Sequence, residues 1–374
     1  MKLFVFGSTG DLVRRKVLPA LQSLNQNNLE VWAVGRRTFT EKVYKDFACT
    51  NKCSLFFKKR IHYIQVDFKK QDVCVSCMNL LDKNELTYFY IAMPPEFYKK
   101  IILSLTKLKK KGFKLRVLIE KPFGKNLKNA KELKDIIEKK GLKNDVFLSD
   151  HYLFKENIIN LKKTDSKKLK LISIEKVGLE KRIRYYNAVG ALKDMIQSHF
   201  FSIVFRLLKN PRELESLKVI KYVRAQYGNG INQGYVKELG RKSKTETFVY
   251  LNFKTNKREF IFITGKALNK KKTKIILNKK SFLTKSSTSY KLLFSKFFLE
   301  KKQFFPTIKD SIFSWKLIEK INLKKPSLKY YKKGLSLSKL LNKLNIEKSL
   351  TSKLGLVRIS QALQNINKTK GFVI

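Results

Sequence analysis

Six short apolar runs, each trailed by a longer stretch of helical periodicity, fill the first 150 residues and constrain the fold more than any other feature. Strands buried on both faces are continuously apolar, and the helices that return the chain between them are apolar on one side only, so this rhythm predicts βαβ units around a parallel sheet. The predicted strands are Lys2 to Phe6, Leu29 to Val34, His62 to Val66, Tyr88 to Ala92, Leu115 to Ile119 and Val146 to Leu148. Helices are predicted over Val13 to Leu24 and Leu127 to Lys139. Pro94-Pro95 and Lys121-Pro122 each stop a strand and fix the turn that follows.

From about Asp150 the pattern becomes strand-like alternation at Leu169 to Ile174, Thr247 to Phe253 and Glu259 to Ile263, with a helix from Gly190 to Leu208 among them. The expected architecture is therefore an α/β Rossmann-type coenzyme domain over residues 1–149, then an α+β domain over 150–341 with a largely antiparallel sheet and helices on one side. Residues 342–374 are polar and lysine-rich, with one apolar patch around Leu354 to Leu363, and read as a tail without an assigned role.

Charge is the loudest compositional feature: 82 Lys and Arg against 29 Asp and Glu give a formal +53 over 374 residues. Such an excess usually points to nucleic acid, through phosphate contacts and counterion release. Here the lysines run from end to end instead of gathering into one arm or stripe, as compositional drift of a whole genome would leave them. No specific nucleic-acid partner is expected, although the positive field would draw in small anionic substrates. No apolar run approaches the ~18 residues that span a bilayer. The apolar stretch Leu3 to Phe6 is too short for a signal peptide. No membrane partner and a cytoplasmic location are expected. Cys49, Cys53, Cys74 and Cys77 have roughly the spacing of a zinc site, but the segment around Cys74 reads as the start of an amphipathic helix. Free, reduced thiols and no metal are the expectation.

Gly7-Ser8-Thr9-Gly10-Asp11-Leu12 follows the first strand and opens the first helix. Glycines there let the backbone approach a pyrophosphate, whose charge sits well at a helix N-terminus. The spacing departs from G-x-G-x-x-G. The end of the second strand adds information. An NAD site usually carries an acid there for the ribose 2′-hydroxyl, whereas this chain has Gly35-Arg36-Arg37-Thr38. Guanidinium groups suit a 2′-phosphate, so the expected cofactor is NADP.

Taken together, the motifs resemble the glucose-6-phosphate dehydrogenase family. GSTGDLVRRKVLPAL, YFYIAMPP, EKPFG, DHYLFKE, YYNAVGALKDMIQSH and ITGKAL follow in that family's order. YKLLFSKFFLEKKQFFPTIKDSIFSW and YYKKG resemble its C-terminal region, so the likeness covers roughly residues 1–341. Departures are present too. Leu148-Ser149 replaces the Arg-Ile before Asp-His-Tyr, and Phe154 stands where a glycine is usual. Lys181 to Arg184 erodes a glycine-rich approach, and Lys193 and Ser198 replace an Arg and an Asn.

The resemblance implies oxidation of glucose 6-phosphate at C1 to 6-phosphogluconolactone with hydride transfer to NADP+, the first step of the oxidative pentose phosphate pathway. It implies a catalytic pair: His199 as the base that takes the C1 hydroxyl proton, and Asp150 orienting it and stabilising the imidazolium. His151, Tyr152 and Lys155 look like a phosphate clamp, served by a helix starting near Asp150 whose early N–H groups and i,i+4 pair His151 and Lys155 converge on one anion. Lys121 is expected to reach both substrate and nicotinamide. Glu175 and Asp194 would accept from sugar hydroxyls, with Lys266 and Lys271 approaching from the Gly-Lys-Ala-Leu turn. Lys270 and Lys272 flank Lys271 and leave the register open. Gly7, Ser8, Thr9, Gly10, Asp11, Leu12, Lys16, Arg36 and Arg37 would hold NADP, with Ala92, Pro94 and Lys121 toward the nicotinamide. A homodimer is the expected assembly. Two other readings compete. A sugar oxidoreductase of the glucose–fructose oxidoreductase class also carries Glu-Lys-Pro after a strand, but lacks the Asp-His-Tyr and Gly-Lys-Ala-Leu elements. A decayed enzyme kept as a basic RNA-binding protein would show aromatic-interleaved basic clusters and loss of the catalytic groups.

Overall fold

A computed structural model describes residues 1–49, 53–228, 234–284 and 288–346. The chain forms two compact units that interleave along the sequence. The first takes Met1–Asp165, Gln197–Pro211 and Thr284–Glu319; the second takes Ser166–Ile196, Arg212–Leu283 and the described residues from Lys320 on. The change of pattern near residue 150 thus marks the end of the first sheet, while the first unit continues beyond it.

The first unit holds β1 (Lys2–Phe6), β2 (Glu30–Gly35), β3 (Ile61–Gln65), β4 (Leu86–Ile91), β5 (Lys114–Ile119) and β6 (Val146–Leu148). They form one parallel sheet in the order β3-β2-β1-β4-β5-β6. Leu3, Phe4, Val5 and Phe6 are fully buried in β1, as a central parallel strand requires. Helices Tyr98–Lys110 and Leu127–Lys139 send Ile101, Leu105, Leu133 and Ile137 into the same core. The strand order reverses between β1 and β4, and ligands of such sheets bind outside the strand ends at that switch point. Both segments there, Gly7 to Leu12 and Ala92 to Pro94, are among the expected coenzyme residues.

The second unit holds β7 (Lys168–Ile174), β8 (Lys218–Tyr227), β9 (Phe248–Lys254), β10 (Glu259–Gly265), β11 (Lys272–Leu277), β12 (Lys280–Leu283) and β13 (Leu328–Tyr331). They pair in the order β12-β11-β7-β10-β9-β8-β13. The pairs β7/β10 and β8/β13 are parallel and the others antiparallel.

Three expectations meet the structure here. The helix read from Gly190 to Leu208 does start there: Gly190, with φ 69° and ψ 172°, separates it from a preceding helix that opens at Ile183. A Cβ there would lie 2.5 Å from Glu246 Oε1, so the break is fixed by packing as well as by the backbone. The chain then runs as a π-helix over Leu192–Phe200 and an α-helix over Phe201–Leu207. Secondly, the cysteines are not all free thiols. Helix Glu41–Cys49 ends on a cysteine whose Cα is 5.2 Å from that of Cys53, and the two are joined as a disulfide. Cys77 is fully buried. Thirdly, no helix starts at Asp150: residues 151–154 form a turn, and a short helix follows only at Glu156–Ile159. The patch Leu354 to Leu363 lies outside the described residues.

Candidate active site

The glycine turn is built tightly on the sheet. The N–H groups of Gly7 and Ser8 both donate to Val34 O, at 3.0 and 3.1 Å, and Gly10 N–H donates to Gly7 O at 3.0 Å. Gly7 has φ +81°, and a Cβ on it would lie 2.4 Å from the Ala92 carbonyl oxygen. Only glycine lets the chain pass there. Ser8 is fully buried beneath Tyr44, whose hydroxyl donates to Ser8 O at 3.2 Å. Thr9 and Leu12 are half-buried, while Gly10, Asp11 and Lys16 face solvent. Asp11 pairs with exposed Arg15 at 3.1 Å.

Arg36 and Arg37 are exposed just past β2. The Arg37 guanidinium lies 5.4 Å from the Phe47 ring centre, and that of Arg14 lies 4.6 Å from the same ring. Residues 35–38 contain no acid that would hold a free 2′-hydroxyl. Turn and cations together fit a 2′-phosphorylated dinucleotide.

Lys121 follows β5 and a cis peptide joins it to Pro122. Just before it stands fully enclosed Glu120. Its Oε1 accepts from Tyr90 at 2.6 Å, Ser149 at 2.8 Å and Tyr290 at 3.4 Å, and its Oε2 accepts from Lys121 N–H at 3.2 Å. Burial raises this carboxyl above the usual range despite four donors.

At the end of β6, Ser149 N–H donates to Ile119 O at 2.7 Å, which hands Asp150 to the site. Asp150 Oδ1 lies 2.5 Å from His199 Nδ1 and accepts from Tyr152 N–H at 3.0 Å. Asp150 and His199 are 2% and 1% exposed, so the pair meets in a low-dielectric setting. Burial pushes the Asp150 carboxyl up to about 6, with His151, Ser202, Tyr152 N–H and Lys121 acting against it. Above that value the carboxylate accepts from Nδ1 and leaves Nε2 with its lone pair for a proton.

The rings around this pair are packed face and edge. Tyr152 stacks on His199, with centres 4.1 Å apart. His151 meets His199 edge-on at 4.9 Å and stacks on Tyr290 at 5.3 Å. Burial, then His199, holds His151 well below the ordinary imidazole range. The Lys155 ammonium lies 3.4 Å from the Tyr152 ring centre and is buried. Asp150, His151 and His199 are also near enough to share a metal ion. The Asp150–His199 hydrogen bond already uses Nδ1, and proton transfer is the chemistry it serves.

Sequence reasoning missed two residues here, Glu120 and Tyr290. Both stand inside quoted motifs, Glu-Lys-Pro and Tyr-Lys-Leu-Leu-Phe, but neither motif tells that a buried carboxylate ties them together.

In the second unit, Glu175 pairs with buried Lys266 at 2.8 Å, and Lys266 Nζ lies 5.9 Å from the Tyr186 ring centre. Leu268 N–H donates to Glu175 O at 2.9 Å, so the Gly-Lys-Ala-Leu turn folds back onto the end of β7. Asp194 is 5% exposed, and with burial it helps raise Tyr186 well above the ordinary phenol range. Lys271 is exposed, whereas half-buried Lys272 opens β11 and is lowered by burial.

A parallel sheet with a glycine turn at its switch point, followed by a mixed sheet, together with a buried His–Asp pair, defines a two-unit nucleotide-dependent dehydrogenase. Residues 4–160 match the model of the glucose-6-phosphate dehydrogenase NAD-binding domain, and residues 152–221 that of the glucose-6-phosphate dehydrogenase C-terminal domain. The chain belongs to the glucose-6-phosphate dehydrogenase family.

Among curated relatives, glucose-6-phosphate 1-dehydrogenase of Buchnera aphidicola subsp. Schizaphis graminum is 28% identical over 339 residues, covering 74% of this chain and 69% of that protein. The Bacillus subtilis protein of the same name is 29% identical over 345 residues, covering 74% and 70%. A glucose-6-phosphate dehydrogenase solved in complex with its substrate superposes with a TM-score of 0.76 at 19% identity, over 92% of this chain and 96% of that one. A myo-inositol dehydrogenase from Corynebacterium glutamicum gives 0.55 at 12% identity, over 85% and 94%. Those two likenesses show the fold alone.

Proposed function

We propose that this chain oxidises glucose 6-phosphate at C1 to 6-phosphogluconolactone with NADP+, the first step of the oxidative pentose phosphate pathway. The observation that carries the reading is the buried pair His199 and Asp150, 2.5 Å apart, close to Lys121 in a chain of this family. His199 Nε2 takes the proton of the C1 hydroxyl, and Asp150 fixes the ring and stabilises the imidazolium. When bound, NADP+ accepts the hydride that leaves C1.

Gly7, Ser8, Thr9, Gly10, Asp11, Leu12 and Lys16 would hold the coenzyme phosphates, Arg36 and Arg37 the 2′-phosphate, and Ala92, Pro94 and Lys121 its nicotinamide end. Lys155 supplies the positive charge of the phosphate clamp, because His151 is held neutral. Tyr152 then offers its hydroxyl, and Lys121 also reaches the sugar. In the second unit, Glu175, Asp194, Lys266 and Lys271 are assigned to the sugar. The division of labour, coenzyme to residues 1–149 and substrate to 150–341, belongs to the same proposal, as do a cytoplasmic location and a homodimer.

Among the described residues, no helix is long and apolar enough to cross a membrane. The test is turnover of glucose 6-phosphate with NADP+, followed by coenzyme reduction. No reduction by pure, folded protein at any substrate concentration would overturn the reading.

A further inference from the structure

Asp150 is unevenly served. Its Oδ1 receives both His199 Nδ1 and Tyr152 N–H, while its Oδ2 is buried and receives no hydrogen bond among the described residues. Ser202 is near enough to hydrogen-bond this carboxylate, but its hydroxyl is directed to Ser198 O at 2.6 Å. A buried carboxylate oxygen without a donor has lost its hydration with nothing in return, so a partner is expected.

A cavity with about 30 Å³ of room for water centres adjoins Asp150 and is lined by Lys121, Gln197, Ser198, Ser202 and Ser314 among others. That is room for at least one water, and a water needs two to four polar partners to stay in such a place. The lining supplies them. Ser198 donates to Gln197 Oε1 at 3.2 Å, and Gln197 Nε2 donates to Ser314 Oγ at 2.8 Å, which passes its own proton to Ser311 O at 2.7 Å. The chain of donors runs along the wall and leaves lone pairs on the Ser202 and Ser314 hydroxyls as acceptors. Serine at 198 also matters for space, since the longer asparagine expected there would reach into the cavity with an amide.

We propose that this cavity is a site for one buried water, which donates to Asp150 Oδ2 and to a serine of the lining, and so acts as the third member of the His199–Asp150 pair. The water gives Oδ2 the donor it lacks and keeps the carboxylate in the plane that orients Nδ1. The other charged or titratable groups facing Asp150 are His199 on its helix, His151 beside it, Lys121 after β5, and Glu120, which lines the same cavity. The catalytic consequence rests on the reading of His199 as base; the site itself does not.

The test joins a high-resolution crystal structure of the full chain with kinetics of two variants. The parent should show a water within hydrogen-bond distance of Asp150 Oδ2 and one lining hydroxyl. Ser198→Thr adds one methyl group to the cavity and should expel the water, lower kcat roughly tenfold or more, as loss of one hydrogen bond to a charged group implies, leave KM for glucose 6-phosphate unchanged and move the acid limb of the kcat profile upward. Ser198→Asn should restore kcat and the profile by placing an amide donor where the water was. No water beside Oδ2 in the parent overturns the proposal, as does Ser198→Thr that has lost the water but keeps the parent's kcat and pH profile. A water present in a protein whose turnover survives His199→Asn would uphold the site and remove the catalytic reading instead.

Discussion

The ring of Tyr152 lies against that of His199, with planes 25° apart and centres 4.1 Å apart, so a residue of the phosphate clamp and the base form one packed unit. His199→Asn keeps much of that packing and removes the base. It should lower kcat about 10²–10⁴-fold, the ordinary worth of a general base, and leave NADP binding nearly unchanged. Residual turnover within threefold of the parent would take His199 out of the role.

Lys155 is the charged member of the clamp, and an uncharged sugar has no need of it. Lys155→Ala should raise KM for glucose 6-phosphate roughly 10–150-fold, because charge-assisted hydrogen bonds are worth about 1.5–3 kcal/mol each. Weak activity on free glucose should barely change. The many other lysines attract the substrate at long range, so both substrates should be compared at physiological ionic strength. Equal losses on both would show that Lys155 does not read the phosphate.

Arg36 and Arg37 should set coenzyme preference. Neutral residues at both positions should weaken NADP far more than NAD in a binding titration, since only NADP carries the 2′-phosphate. Equal weakening would point to the pyrophosphate or to the turn.

Asp150 gives a pH test of stability. Its carboxyl stands at about 6 in the folded chain, above the ordinary ~3.9 of an unfolded aspartate. A raised acid binds its proton more tightly when folded, so its contribution is present below the unfolded value and is lost as pH rises through 6. By linkage that loss is at most about 3 kcal/mol. Asp150→Asn cannot titrate. Its Tm relative to the parent should therefore rise between pH 4.5 and 7, although activity is lost. A Tm difference flat with pH would mean that Asp150 titrates alike in both states.

The sequence made the first sheet legible because its strands are buried on both faces: Leu3 to Phe6 and Val117 to Ile119 have no polar interruption to obscure them. In the second sheet, β8, β11, β12 and β13 went unread. Lysines at 218, 221, 272, 274, 280 and 329 break their apolar alternation, as edge and half-exposed strands permit. The helix expected at Asp150 failed for a local reason: Asp150 spends Oδ1 on Tyr152 N–H and on His199, and the chain turns until a helix opens at Glu156. Asp150 and His199 were legible through their motifs alone, since 49 residues separate them and no periodicity links them. The disulfide was illegible because Cys-x3-Cys also reads as one turn of helix.

The contact beneath Gly7 limits how this protein can change. An exposed position of this chain can change to lysine or asparagine with little effect, because a solvated position accepts almost any substitution. At Gly7 the obstacle is the Ala92 carbonyl, part of the main chain that every amino acid shares. No second mutation at Ala92 removes that atom, so no compensating pair exists and the position is closed to mutational drift. Gly190 differs in kind: its obstacle is the Glu246 side chain, and a change at 246 would clear the space though not the backbone angle. A saturation library of this chain should return every substitution at Gly7 as inactive, even from hosts selected for tolerance.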